Sequence, residues 1–202
     1  MSISHLFFDV GGVLGSNGWD REQRRRAVDR FGLEEADLED RHAEAAPVWE
    51  EGRMTLEEYL GVTVFYRPRR FQAAEFIEFM LAQSTPDPAC IALARTLAAS
   101  GRFLLMTINN ESAELNLYRI RSFGLKDLFA AFFSSCWVGA LKPSRRIYEV
   151  ALAVSQAEPH RAVFIDDRER NLETARALGM RTILYHDAAG LRTALAGVGV
   201  EP

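Results

Sequence analysis

The sequence predicts an α/β protein, a doubly wound, Rossmann-like parallel sheet with an all-helical cap inserted after the first strand. Three observations lead there. From residue 86 onward, short and wholly apolar runs alternate with amphipathic stretches at three- and four-residue spacing. Those runs lack the in–out alternation of a half-exposed sheet, as strands covered on both faces do. Between Trp19 and Ala82 the pattern is helical throughout, with charges filling the gaps between apolar positions.

Each element follows in order. The first strand spans Ile3–Val10, and its apolar run drives into one carboxylate, Asp9, then into Gly11 and Gly12. The helical segment reads DREQRRRAVDRFGL, EEADLEDRHAEAAPVWEEG, TLEEYLGVTVFY and RRFQAAEFIEFMLAQ, punctuated by Gly32, Pro47, Gly52 and Pro68. STPDP at Ser84–Pro88 is a linker and helix start. A helix (Ala89–Ser100) then leads to the strand RFLLMT, which ends at Thr107. A helix over Ser112–Phe123 leads to FAAFFSS, one over Ser144–Val154 to AVFID, and one over Asn171–Leu178 to RTILY. A last helix covers Ala188–Leu195. The expected core is therefore residues 1–15 and 86–202. The expected helical cap, residues 16–85, lies over the carboxyl edge of the sheet.

Bulk properties narrow the function. A chain of 202 residues suits one core with a small insertion. The net charge of −4 argues against broad attraction to nucleic acid or an anionic membrane surface. No apolar run approaches the roughly 18 residues of a membrane span, and the first strand is too short and too soon interrupted to be a signal peptide. The two cysteines, Cys90 and Cys136, show no metal-ligand spacing, which points to a reduced, cytoplasmic protein without structural zinc. The basic runs Arg24–Arg26 and Arg67–Arg70 read as solvated helix faces, because acids are interspersed around them. Trp137 is the tryptophan expected nearest a substrate pocket, and Trp49 belongs to the cap interior. Nothing in the sequence specifies an oligomeric state.

In open α/β sheets, ligands bind beyond the carboxyl ends of the strands. Those ends carry Asp9, then Thr107 followed by Asn109 and Asn110, then the loop reaching Lys142, then Asp166 and Asp167. Three carboxylates around one point repel unless a cation sits among them. Hard oxygen donors suit Mg²⁺, which keeps several waters and takes a substrate phosphate. Lys142 and Thr107 would hold phosphate oxygens, and Asp9 would attack as a nucleophile. Gly11 and Gly12 would let backbone N–H groups approach a dianion, with Asn109 and Asn110 as candidate substrate contacts. Each residue alone has a plainer reading: Asp9 as a turn cap, Thr107 or one of the paired acids as a helix cap, Lys142 as a surface lysine, the asparagines as turn formers. It is their convergence on one edge that points to phosphate chemistry.

FFDVGGVL, FLLMTINN, GALKPSRRIY and VFIDDRERNLETARALGM, in that order, resemble the four motifs of the haloacid dehalogenase (HAD) superfamily, in the branch with a small helical cap after the first strand. EGRMTLEEYL at Glu51–Leu60 resembles a turn and helix of such caps. The resemblance implies Asp9 as nucleophile and Thr107 and Lys142 as the groups that hold phosphate. It implies Mg²⁺ held by Asp9, Asp167 and the carbonyl of Gly11, with Asp166 in support. Asn171 stands where relatives often carry an acid. The implied activity is Mg²⁺-dependent hydrolysis of a small phosphorylated metabolite through a phospho-aspartate.

The sequence departs from that pattern at Gly11. In the family's phosphatases, the acid two residues after the nucleophile protonates the leaving alcohol and later activates water. Gly11 keeps a carbonyl but has no side chain for this work, which is worth roughly 10²–10⁴-fold in rate. A slow phosphatase, a phosphatase that borrows an acid from the cap near Asp20 or Glu22, and a different chemistry all stay open. The 2-haloacid dehalogenases replace this acid, since halide leaves without a proton, but they work without metal and lack paired acids. Asp166 and Asp167 thus favour the phosphatase. A catalytically degenerate metal- or phosphate-binding protein is the remaining alternative, and retention of Asp9 argues against it.

Overall fold

The computed structural model describes residues 2–201; Met1 and Pro202, the outer bounds of the expected core, lie outside the described residues. Five strands form one parallel sheet: β1 (His5–Phe8), β2 (Leu104–Asn109), β3 (Ala131–Ser134), β4 (Ala162–Asp166) and β5 (Arg181–Leu184), in the order β3-β2-β1-β4-β5. β1 is central, so its carboxyl end is flanked by those of β2 and β4. Phe8 pairs with Thr107 on one side and Ile165 on the other.

Successive side chains alternate between the two faces of a strand, and both faces here are packed. Leu6, Phe8, Leu105 and Ile165 meet α5 (Pro88–Ala99) and α10 (Ala188–Gly197) through residues such as Leu97 and Leu191. Phe7, Met106, Ile108 and Phe164 meet α8 (Arg145–Ser155) and α9 (Glu169–Ala177) through Ile147 and Leu172. Phe7, Phe8 and Phe164 are fully buried, and each such side chain contributes about 1.5–3 kcal/mol. That double cover explains the unbroken apolar runs in the sequence. Helix α6 (Ala113–Ser122) and the one-turn α7 (Ser135–Val138) complete the sheet layer.

The segment between β1 and α5 folds into α1 (Arg21–Phe31), α2 (Glu35–Glu50), α3 (Leu56–Thr63) and α4 (Ala73–Ala82). These helices share an apolar cluster of their own, including Ala27, Leu38, Trp49, Tyr59, Phe76 and Met80. Leu115 of α6 joins it from the sheet layer. α1 ends where Gly32 turns left-handed (φ 62°). α3 begins with a capping box between Thr55 and Glu58. The chain leaves and re-enters the sheet layer along adjacent backbone: Ser16 N–H donates to the Thr85 carbonyl, and Asp87 N–H to that of Leu14. No helix among the described residues is long and apolar enough to cross a membrane.

β1 is shorter than the expected Ile3–Val10, and β3 shorter than FAAFFSS; the structure differs from expectation in three further places. α2 continues through Pro47 rather than breaking there. α7 forms a helical turn where the sequence shows only the end of a strand and a loop. β2 runs two residues past Thr107, because Ile108 packs into the second apolar layer and the Asn109 side chain finds polar partners there.

Candidate active site

Asp9 lies one position beyond β1, where its own N–H donates to the Ile165 carbonyl. Its carboxylate accepts from the Val10 N–H at 2.8 Å. β4 ends at the matching level with Asp166. Lys142 enters from the loop before α8 and stands between them, Nζ 2.8 Å from Asp9 Oδ1 and 2.7 Å from Asp166 Oδ2. All three are buried. Burial works against the Lys142 ammonium, but Asp9 and Asp166 outweigh it and hold its pKa above the ordinary value. Burial pushes the Asp9 carboxyl up to about 7 against the pull of Lys142, with Asp166 and Asp167 adding to the rise.

Asp166 is saturated with donors. Besides Lys142 it accepts from the Arg168 N–H at 2.8 Å and from the Asn171 amide at 3.0 and 3.1 Å. Asp167 is the opposite case, since its buried Oδ1 has no hydrogen-bond partner. An unpaired buried carboxylate oxygen is expensive, and burial together with Asp166 raises the Asp167 pKa. Ligand atoms of Asp9, Asp166 and Asp167 all lie within 4.8 Å of one another. With Asp166 already filled, Asp9 and the orphaned oxygen of Asp167 are the hard donors left to suit a divalent cation of the Mg²⁺ type.

Above this cluster lies a cavity of about 250 Å³. Its floor is Asp9, Gly11, Lys142 and Asn110; its far wall is built by the helical insertion, through Trp19, Asp20, Arg24, His42, Trp49 and Glu50. A hydrogen-bond chain orders that wall. Trp19 Nε1–H donates to the Tyr59 hydroxyl at 2.9 Å, and that hydroxyl lies 2.7 Å from His42 Nδ1. Indole nitrogen only donates, so the Tyr59 hydroxyl accepts from Trp19 while pairing with His42 Nδ1. Burial, with Arg24 nearby, lowers the His42 pKa to about 4 and keeps it neutral.

The sequence model of the haloacid dehalogenase-like hydrolases matches residues 3–179. The chain belongs to that family. Solved HAD structures share its fold. A HAD-family enzyme of Bacteroides thetaiotaomicron, bt-2542, superposes with a TM-score of 0.79 at 18% identity, over 92% of this chain and 95% of that one. The same enzyme has been crystallised with magnesium and inorganic phosphate. An L-2-haloacid dehalogenase from Xanthobacter autotrophicus superposes with a TM-score of 0.63 at 16% identity, over 99% of this chain and 85% of that one. In sequence, bifunctional epoxide hydrolase 2 of Sus scrofa is 27% identical over 208 residues, which cover 93% of this chain but 37% of the relative. The chain thus spans well under half the length of that relative.

Several residues of this HAD-like hydrolase lie away from their expected positions. Thr107 pairs with Phe8 and is fully buried, its hydroxyl 3.5 Å from Asn109 Oδ1. Asn109 is buried too, bonded to Asn116 at 3.1 Å and Ser134 at 2.9 Å. Neither reaches the cavity wall; Asn110 does. Its amide clamps the Lys142 backbone from both sides, Nδ2 to the carbonyl at 3.0 Å and Oδ1 from the N–H at 2.7 Å. The Gly12 N–H is taken by the Gly15 carbonyl at 2.8 Å. What Gly12 supplies is room: a Cβ there would lie 2.2 Å from Asp167 Oδ2. Trp137 is exposed and off the cavity, whereas Trp19 and Trp49 line it.

The sequence alone does not place two arginines at the cavity that the structure puts there. Arg24 belongs to no solvated face: it is buried, bound to both oxygens of Glu39 at 2.7 Å and to the Trp19 carbonyl. Arg119 is buried on α6, with Nη1 3.2 Å from Glu111 and Nε donating to Ser84, while Nη2 has no partner. The spacing held a signal for both. Arg24 precedes Ala27 by three residues and Arg119 follows Leu115 by four, so each falls on the apolar face of its helix.

Proposed function

We propose that the protein is a Mg²⁺-dependent phosphatase that hydrolyses a small phosphomonoester through a phospho-aspartate at Asp9. The observation that carries this reading is the cluster of three carboxylates with Lys142 among them and Asp167 Oδ1 left unpaired. Asp9, Asp167 and the Gly11 carbonyl would hold the cation, with Asp166 orienting Lys142 rather than ligating, because its oxygens are already filled. When bound, the cation supplies positive charge that keeps the carboxylates ionised and draws charge from the transferring phosphoryl group. The magnesium and phosphate bound by bt-2542 support the same use of this fold.

The chain's own residues divide the remaining work. Asp9 attacks phosphorus from a fixed strand end, its carboxylate oriented by the Val10 N–H. Lys142 holds a phosphate oxygen, and Asn110 fixes the Lys142 backbone. Water then cleaves the phospho-aspartate. Helices α1–α4 act as a cap that excludes bulk water and selects the substrate.

The test is hydrolysis of p-nitrophenyl phosphate with and without Mg²⁺, using Asp9→Asn as the blank. Mg²⁺-dependent turnover above the blank is expected. Failure there, together with metal-free release of halide from a 2-haloacid, would move the protein to the dehalogenase reading.

A further inference from the structure

Gly11 offers no side chain beside Asp9, so a phosphatase here would draw the proton for its leaving oxygen from elsewhere in the cavity wall. Most candidates fail on contacts. Glu22 is exposed, paired with Arg26, and off the wall. Asp20 lines the wall, but one oxygen caps α1 at the Arg21 N–H and the other binds Arg168 at 3.1 Å. Glu111 is tied to Arg119 and to the Ser112 N–H. His42 is held neutral, with Nδ1 committed to Tyr59.

Glu50 remains. It is the last residue of α2 and lines the same cavity as Asp9 and Lys142. Among the described residues, no hydrogen bond or ion pair holds its carboxyl. Its backbone, by contrast, is anchored to the sheet layer. Ser135 Oγ donates to the Glu50 carbonyl at 2.7 Å, and the same oxygen accepts the Glu111 N–H at 2.9 Å. Two residues on, Gly52 (φ 73°) packs so closely that a Cβ would lie 2.1 Å from the Cys136 carbonyl oxygen. The end of α2 is thereby fixed against α7, and through the Ser135 hydroxyl it is linked to the loop that follows β2 and carries Asn110. The groups facing it are Glu111 and Asp20, which disfavour its charge, and Arg168 and Arg24, which favour it. Burial is the largest influence, and the carboxyl is pushed up to about 7. Such a group holds a proton and can release it near neutrality.

We propose that Glu50 is the general acid and base of this site, replacing from the cap the side chain absent at Gly11. The inference rests on the phosphatase reading. In the first step an Asp9 oxygen bonds to phosphorus, the bond from phosphorus to the ester oxygen breaks, and that oxygen takes the Glu50 proton to leave as alcohol. In the second, water gives a proton to the Glu50 carboxylate as its oxygen bonds to phosphorus, and the Asp9–phosphorus bond breaks. Phosphate leaves, and Asp9 and Glu50 return to their starting states.

The experiment compares wild type and Glu50→Gln on two esters in Mg²⁺. The leaving group of p-nitrophenyl phosphate needs little protonation; that of glycerol phosphate needs it badly. Acid-quenched protein is weighed for a retained phosphoryl group, and circular dichroism checks folding. The expected result is a roughly 10²–10⁴-fold loss on glycerol phosphate. With p-nitrophenyl phosphate, a first turnover is followed by accumulation of phospho-Asp9. Glu50→Ala with added formate is the second variant, and a small acid in the vacated space should restore turnover of glycerol phosphate. A folded Glu50→Gln that keeps glycerol phosphate hydrolysis within threefold of wild type, or that loses both esters equally without trapping phosphoenzyme, overturns the inference and leaves the phosphatase reading standing. Wild type inactive on both esters overturns the two together.

Discussion

Lys142 Nζ lies 2.7 Å from Asp166 Oδ2 while also lying 2.8 Å from Asp9, so a single buried ammonium serves carboxylates from adjacent strands. Removing one partner of a buried ion pair costs about 3–5 kcal/mol, because the charges left behind lose their compensation. Lys142→Met should therefore abolish turnover and lower stability by about that amount. Mg²⁺ should raise the melting temperature of the variant more than that of wild type, since it returns positive charge to the same carboxylates. Thermal unfolding with and without Mg²⁺ checks this, and equal shifts in the two proteins would contradict it.

Gly12 meets two demands at once. Its φ of 75° disfavours any side chain, and a Cβ would press on Asp167. Gly12→Ala should displace the Asp167 carboxylate with little effect on the rest of the sheet. The expected outcome is a Mg²⁺ requirement raised roughly 10–100-fold, as when groups supporting a metal ligand are lost. Activity titrated against Mg²⁺ measures it.

The sheet was legible because its strands are buried on both faces, so every one appears as an apolar run, and Asp9 and Asp166 follow from where two of those runs stop. What the sequence concealed were choices made by tertiary contacts. Thr107 looks like a strand end until Ile108 is seen to be core and Asn109 to be satisfied by Asn116 and Ser134. Arg24 and Glu50 look like members of charged helix surfaces. Only the packing of α1 and α2 places them on the wall of the cavity that Asp9 also lines. Local periodicity reports which face of a helix is apolar, but not that a polar residue beside that face will line a cavity.

Glu50 should also be visible in stability. Its folded-state pKa of about 7 lies above its ordinary value of 4.5, so between those values the folded protein keeps a proton that the unfolded chain releases. The stability it contributes is fully present below about pH 4.5 and is lost as pH rises through about 7. Glu50→Gln removes that dependence. It should match wild type near pH 4.5 and exceed it at pH 8 by about 1–3 kcal/mol, while losing activity. Urea unfolding of the metal-free protein at both pH values tests this; a variant no more stable than wild type at pH 8 would contradict it.

Asn110 and Thr107 offer a direct contrast between geometry and motif. The Asn110 amide makes two hydrogen bonds to the Lys142 backbone, whereas the Thr107 hydroxyl makes one long contact to Asn109 in the interior. Asn110→Ala frees the loop that presents Lys142, and misplacing a charged group by about 1 Å can cost about 10²-fold in rate. Thr107→Val deletes a hydroxyl that does not reach the cavity, so the expected loss is far smaller. Steady-state kinetics on p-nitrophenyl phosphate separate the two: Asn110→Ala should lower kcat, because it loosens Lys142, the residue proposed to hold the transferring phosphate oxygen. A larger loss from Thr107→Val than from Asn110→Ala would mean that the β2 end shifts on binding and brings the hydroxyl to phosphate.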